Sequence, residues 1–122
     1  MNLHDVIVAQ SDCVVAEHLA ATLHTYFQSV SVARDVDEIK HMIHRHGANV
    51  VVLDLEMADM HEVSELTHEF HGIGFVCTHR APDEEMWKQS LQAGAADCCA
   101  SSDVHEIIRA TRAAQKSAAA AA

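Results

Sequence analysis

Polar residues able to do chemistry stand where three apolar runs end. Gln10-Ser11-Asp12 closes Val6-Ile7-Val8-Ala9, Asp54 closes Val50-Val51-Val52-Leu53, and Thr78 closes Ile73-Gly74-Phe75-Val76-Cys77. If the runs are strands of one open parallel sheet, these residues sit at the carboxyl ends, where such sheets hold their ligands. By position alone, Asp54 is equally a functional carboxylate and an acid that opens a loop. Asp12 belongs to a preferred N-cap type for a helix starting near Cys13.

The eleven histidines raise a metal question. His41, His44 and His46 lie close together, as do His61, His68 and His71, and His68 and His71 at i, i+3 share a helix face. Neither group has a His-Glu-x-x-His or Cys-x-x-Cys arrangement, so solvated helix faces are expected. In mild acid these groups would offset much of the negative charge. The four cysteines, Cys13, Cys77, Cys98 and Cys99, are too few and scattered for a disulfide framework. Adjacent Cys98 and Cys99 on a strand would point to opposite faces. Met57 and Met60 read as packing residues.

The elements needed to position these groups alternate along the chain. After the first run, Val15, Leu19, Thr22, Leu23 and Tyr26 recur at helical spacing. Val30-Ser31-Val32-Ala33 is a second strand. Asp35 with Glu38 then opens a helix carrying Ile39, Met42, Ile43 and His46 on one face. Asn49 to Asp54 is continuously apolar before its acid, as in a strand buried on both faces. Val63, Leu66, Thr67 and Phe70 mark a third helix. Pro82 opens a fourth, with Asp83, Glu84 and Glu85 in its first turn and its end near Gly94. Asp97-Cys98-Cys99-Ala100 is a short fifth strand. Ser102 or Asp103 caps a last helix that buries Val104, Ile107 and Ile108 beside Thr111. Five βα repeats demand a parallel sheet with helices on both faces.

With 122 residues and 49% hydrophobic content, the chain makes one domain with a real core. Its net charge of −10 argues against direct nucleic-acid binding and against docking to an anionic membrane. No apolar run reaches membrane-spanning length, and Met1 to Asp5 lacks the start of a signal peptide, so a cytoplasmic protein is expected. The expected domain covers residues 1–116. Residues 117–122 form an Ala-rich tail that extends the last helix, begins a linker or is an appended remnant.

Val51-Val52-Leu53-Asp54-Leu55-Glu56-Met57-Ala58-Asp59-Met60 resembles the phosphoacceptor segment of bacterial two-component response-regulator receiver domains of the chemotaxis-regulator type. That pattern is apolar-Asp-apolar-x-Met-Pro-x-Met, and Ala58 stands in place of proline. Gln92-Ala93-Gly94-Ala95 matches the family's Ala-Gly-Ala turn, and the resemblance covers residues 5 to 115. It implies an α/β, three-layer (βα)5 flavodoxin-like sandwich with a five-stranded parallel sheet in the order 2-1-3-4-5. It implies transfer of a phosphoryl group from a sensor histidine kinase to Asp54. Mg²⁺ would be held by Asp54, the backbone carbonyl of Glu56 and acids after the first strand, and Thr78 would supply the switch hydroxyl. The fourth helix, fifth strand and fifth helix would meet partners or a second copy through Trp87, Lys88, Arg109 and Arg112. A transcription-regulating output domain beyond residue 122 fits the same family.

The site departs from that pattern. Gln10 and Ser11 occupy the acidic positions, with Asp12 one step late as a tentative metal ligand. Ser101 replaces the lysine and Cys98 the switch aromatic, and His79 takes the hydroxyl position in a gapless alignment. Fewer anionic ligands predict weak or absent Mg²⁺ binding, and the missing lysine removes a charge-assisted phosphoryl contact. The resulting expectation is a regulatory protein-interaction module, not an enzyme. The alternative is a phosphorylation-competent receiver using Mg²⁺. An unrelated flavodoxin-like ligand binder is disfavoured, because no glycine-rich phosphate loop follows the first strand.

Overall fold

The computed structural model describes residues 5–121. Its elements are β1 (Asp5–Ala9), α1 (Cys13–Leu23), β2 (Ser29–Ala33), α2 (Val36–His46), β3 (Val50–Asp54), α3 (Met60–Glu69), β4 (Gly74–His79), α4 (Glu84–Gln92), β5 (Asp97–Ala100) and α5 (Val104–Ala121). The five strands form one parallel sheet in the order β2-β1-β3-β4-β5. This is the expected flavodoxin-like sandwich. The boundary expected at residue 116 falls inside α5. The N-terminal stretch Met1 to His4 and the last tail residue, Ala122, lie outside the described residues.

Alternation along each strand feeds two cores. Ile7, Ala9, Val51, Leu53, Phe75 and Cys77 face Ile39 and Ile43 of α2 and Val63 and Leu66 of α3. Val6, Val8, Val50, Val52, Val76 and Cys99 face Leu19 and Leu23 of α1 and Ile107, Ile108 and Ala114 of α5. All five residues of β3 are buried, since this central strand is covered on both faces. Each fully buried Val or Leu stabilises the fold by about 1.5–3 kcal/mol. Gly74 opens β4 because α5 passes over it; a Cβ there would come within 2.8 Å of the Ala114 Cβ.

Aspartates start the helices. Asp12, Asp35, Asp59 and Asp83 accept hydrogen bonds from the first-turn amides of α1, α2, α3 and α4. Asp103, of the two candidates, caps α5 through the Glu106 amide at 3.3 Å. Pro82 therefore precedes the α4 cap and does not open the helix. Asp83 is the cap, and only Glu84 and Glu85 are in the first turn. Near α2 the Glu38 carboxylate reaches one residue past the cap, to the Arg34 amide at 2.8 Å.

Two positions differ from the helical pattern. α1 stops at Leu23, so Tyr26 is 48% exposed while Phe27 closes the second core. The turn after Leu23 breaks the 3.6-residue phase that would have carried Tyr26 inward. His46 is exposed at the end of α2, while Ile39 and Ile43 are buried and Met42 packs partly against them.

Candidate functional site

The ends of β1, β3 and β4 bring the candidate residues together. Asp54 is the last residue of β3 and is 7% exposed. Its Oδ2 accepts from the Ser11 amide at 3.0 Å and the Ser11 hydroxyl at 2.6 Å. Its Oδ1 accepts from the Glu56 amide at 2.9 Å. The carboxylate is thus held by three neutral donors from its own chain. The backbone turn that presents it is set by the Asp54 carbonyl, which accepts from Met57 at 3.0 Å and Ala58 at 3.3 Å.

Thr78 pairs in register with Asp54 across β3 and β4 and is fully buried. Gln10 follows β1 and is 5% exposed. Its Nε2 donates to Thr78 Oγ1 at 2.9 Å. β1 and β4 flank β3, so this amide crosses the end of the Asp54 strand. Burial obliges both polar groups to find partners, and among the described residues no buried side-chain polar atom lacks one.

Asp12 lines the same site and also serves α1. Its Oδ1 accepts from Val14 at 2.9 Å and Val15 at 3.3 Å, capping α1. The site opens into a cavity of about 110 Å³ lined by Gln10, Ser11, Asp12, Val15, Asp54, Glu56, Arg80 and Ser101. Arg80 was not anticipated. It lies in the loop after β4, and its Nε meets Glu56 Oε1 at 2.8 Å. An arginine two residues past the β4 hydroxyl was the available signal, but its partner is 24 residues away in sequence. His79, the gapless counterpart of the hydroxyl, instead accepts the Ala81 amide on Nδ1 at 3.1 Å.

The other candidates are more dispersed. Trp87 is 43% exposed, and its indole N–H donates to Asp97 at 3.1 Å, tying α4 to β5. Lys88 pairs with Glu84 at 3.6 Å, and Arg109 donates to Glu106 at 2.9 Å, each within its own helix. Arg112 stands over the Tyr26 ring at 5.2 Å, on the α1 side and away from α4. The six singled-out histidines are exposed, and the described residues contain no group of three or more His, Cys, Asp or Glu able to hold a metal. Cys98 and Cys99 pack on opposite faces of the sheet. Burial pushes the Cys77 and Cys99 thiols up to about 12 and also raises Cys98, leaving them poor nucleophiles. Met57 packs against the first core, and Met60 sulfur receives the Ser90 hydroxyl at 3.9 Å.

The strand order and the helix layers match the fold of solved response-regulator receiver domains. NtrX from Brucella abortus, solved with ADP, is similar with a TM-score of 0.86 at 16% identity; the match covers 96% of this chain and 27% of that one. A CheY-like receiver domain protein from Methanospirillum hungatei is similar at 13% identity and TM-score 0.82, over 96% of this chain and 97% of that one. A Burkholderia pseudomallei response regulator, carrying a phosphorylated aspartic acid, calcium and citrate, is similar at 17% identity and TM-score 0.78, over 96% of this chain and 71% of that one. This chain therefore spans about a quarter of the NtrX length. No family model matches the sequence, and no curated protein is similar to it in sequence. No helix among the described residues is long and apolar enough to cross a membrane.

Proposed function

We propose that this chain is the receiver domain of a two-component response regulator, with Asp54 at the phosphoacceptor position, acting mainly as a regulatory protein-interaction module in the cytoplasm. The observation that carries this reading is the closure of the Asp54 carboxylate by Ser11 and Glu56 donors. A phosphoryl group arriving at that carboxylate would have to displace the Ser11 hydroxyl. It would then find Ser101 in place of a lysine, and Arg80 already held by Glu56.

Mg²⁺ fits these residues poorly. It takes carboxylate and water oxygens in near-octahedral order. Asp54 already accepts three hydrogen bonds and Asp12 Oδ1 caps α1, so the remaining Asp54 lone pairs, Asp12 Oδ2 and the Glu56 carbonyl are what a metal would find. Metal binding is accordingly weak or absent. The domain would signal through contact with a kinase or another signalling protein. The α4, β5 and α5 side, with Trp87, Lys88 and Arg109, is the contact surface and a homodimer face; Arg112 joins it only by leaving Tyr26. An output domain, such as a transcription regulator's, would act beyond this domain.

A second reading rests on the pairing of Asp54 with Thr78 in register, which suits an acceptor and a phosphoryl-binding hydroxyl. Under it the domain accepts a phosphoryl group with Mg²⁺. Intact mass after incubation with acetyl phosphate and Mg²⁺ separates the two. The module reading expects no adduct on the folded parent. A single phosphoryl adduct, absent from Asp54→Ala, would overturn it in favour of the second.

A further inference from the structure

Gln10 spans the site in a way that neither its position nor its residue type demands. Its backbone follows β1, while its partner Thr78 lies on β4, two strands away in the sheet. The chain of Gln10 must therefore extend over the end of β3, beside Asp54. It lies in the space through which any group attached to the Asp54 carboxylate would have to reach Thr78, the register partner of Asp54. The bond is buried at both ends, at 5% and 0% exposure, so water does not compete for it.

The next segment of chain leads from this contact to α4. Thr78 is followed by the loop Arg80–Asp83, and Asp83 caps α4 through the Met86 amide at 2.8 Å. Trp87 in the same first turn reaches across to Asp97 of β5. Thr78 therefore stands at the start of the path that leads to α4 and its exposed indole.

We propose that Gln10 is a built-in ligand of this site: its amide occupies the position of a bound group and holds Thr78, and through it the β4–α4 segment, in one arrangement without phosphate or metal. Gln10 is a positioning residue in this scheme.

The test is amide hydrogen exchange of the parent, Gln10→Met, Thr78→Val, their double variant and Thr78→Ser. Gln10→Met keeps side-chain length and removes the donor. Thr78→Val keeps shape and removes the acceptor. Loss of one buried neutral hydrogen bond is expected to speed exchange by roughly five- to tenfold, localised to Ala81–Trp87, while α2 amides stay at the parent rate. The double variant should exceed neither single variant, because both break one contact. Thr78→Ser, which retains the hydroxyl and loses one buried methyl, should show no acceleration localised to Ala81–Trp87 beyond its effect on the rest of the domain. Unchanged exchange at Ala81–Trp87 in folded Gln10→Met would overturn the proposal. So would effects that multiply in the double variant, or acceleration spread evenly over the domain. If Gln10→Met does not fold, the contrast between Thr78→Val and Thr78→Ser decides on the same criterion.

Discussion

Placing an acid at the Ser11 position should make this domain depend on a divalent cation for its stability. In the parent, the Ser11 hydroxyl lies 2.6 Å from Asp54 Oδ2. Ser11→Asp removes that donor, and a hydrogen bond to a charged group contributes about 1.5–3 kcal/mol. It also sets a second carboxylate beside the first. Two like charges about 4 Å apart repel by about 1 kcal/mol in water and about 4 kcal/mol at the effective dielectric of a protein surface. Ser11 is exposed, so the new side chain can turn to solvent and the lower repulsion applies. The sum is about 3 kcal/mol, or roughly 10 °C in melting temperature for a domain of this size. The assay is thermal unfolding of parent and variant in EDTA and in a Mg²⁺ series. The variant should melt about 10 °C below the parent in EDTA and recover most of the difference at saturating Mg²⁺, because binding to the native state stabilises it by mass action. The parent should shift by less than about 1 °C. A variant as stable as the parent in EDTA, or a parent raised by Mg²⁺ as much as the variant, would refute the reasoning.

Native-state alkylation at pH 8 should label exposed Cys13 first, half-buried Cys98 slowly, and Cys77 and Cys99 only on unfolding; fast labelling of Cys77 would contradict its burial. Because burial raises the Cys77 and Cys99 pKa values from 9.0 to about 12, the unfolded chain ionises first as pH rises. Their contribution to stability is therefore complete below pH 9 and is lost between pH 9 and 12. Urea titrations across that window should show stability falling with pH, with a shallower slope in Cys77→Ala. Gly94→Ala should be destabilised by about 2 kcal/mol or more, since φ is +103° and a Cβ would meet Thr67 Oγ1 at 2.6 Å, the same hydroxyl that bonds the Ala93 carbonyl. Gly47→Ala, with open space around it, should cost less, and equal losses in urea unfolding would count against the Thr67 contact.

The contrast between Asp54 and Arg80 shows how far residue order reaches. Asp54 was legible because a continuous apolar run dictates a doubly buried strand, and a charged residue can stand only at its end. The helix starts were legible for the same local reason: Asp12, Asp35 and Asp103 serve amides two or three residues away. Alternation of five such units then leaves a parallel sheet as the arrangement that buries both cores. These outcomes depend on neighbours along the chain, so sequence by itself determined them.

What closes the site depends on strand order and register. Ser11 and Asp54 are 43 residues apart, and Gln10 and Thr78 are 68 apart. Ser11 was visible as a hydroxyl where the resemblance expects an acid, but not as the side-chain donor to Asp54. Gln10 was visible as a neutral residue at an acidic position, but not as the donor to Thr78. Arg112 belonged by helix number to the α4–α5 face, while the Tyr26 ring drew it to the other side. A side chain's choice among distant partners follows from which strand ends lie within its reach and which polar groups burial leaves needing a bond. Sequence listed the donors and acceptors at the carboxyl ends of the sheet; only the tertiary structure decided which of them meet.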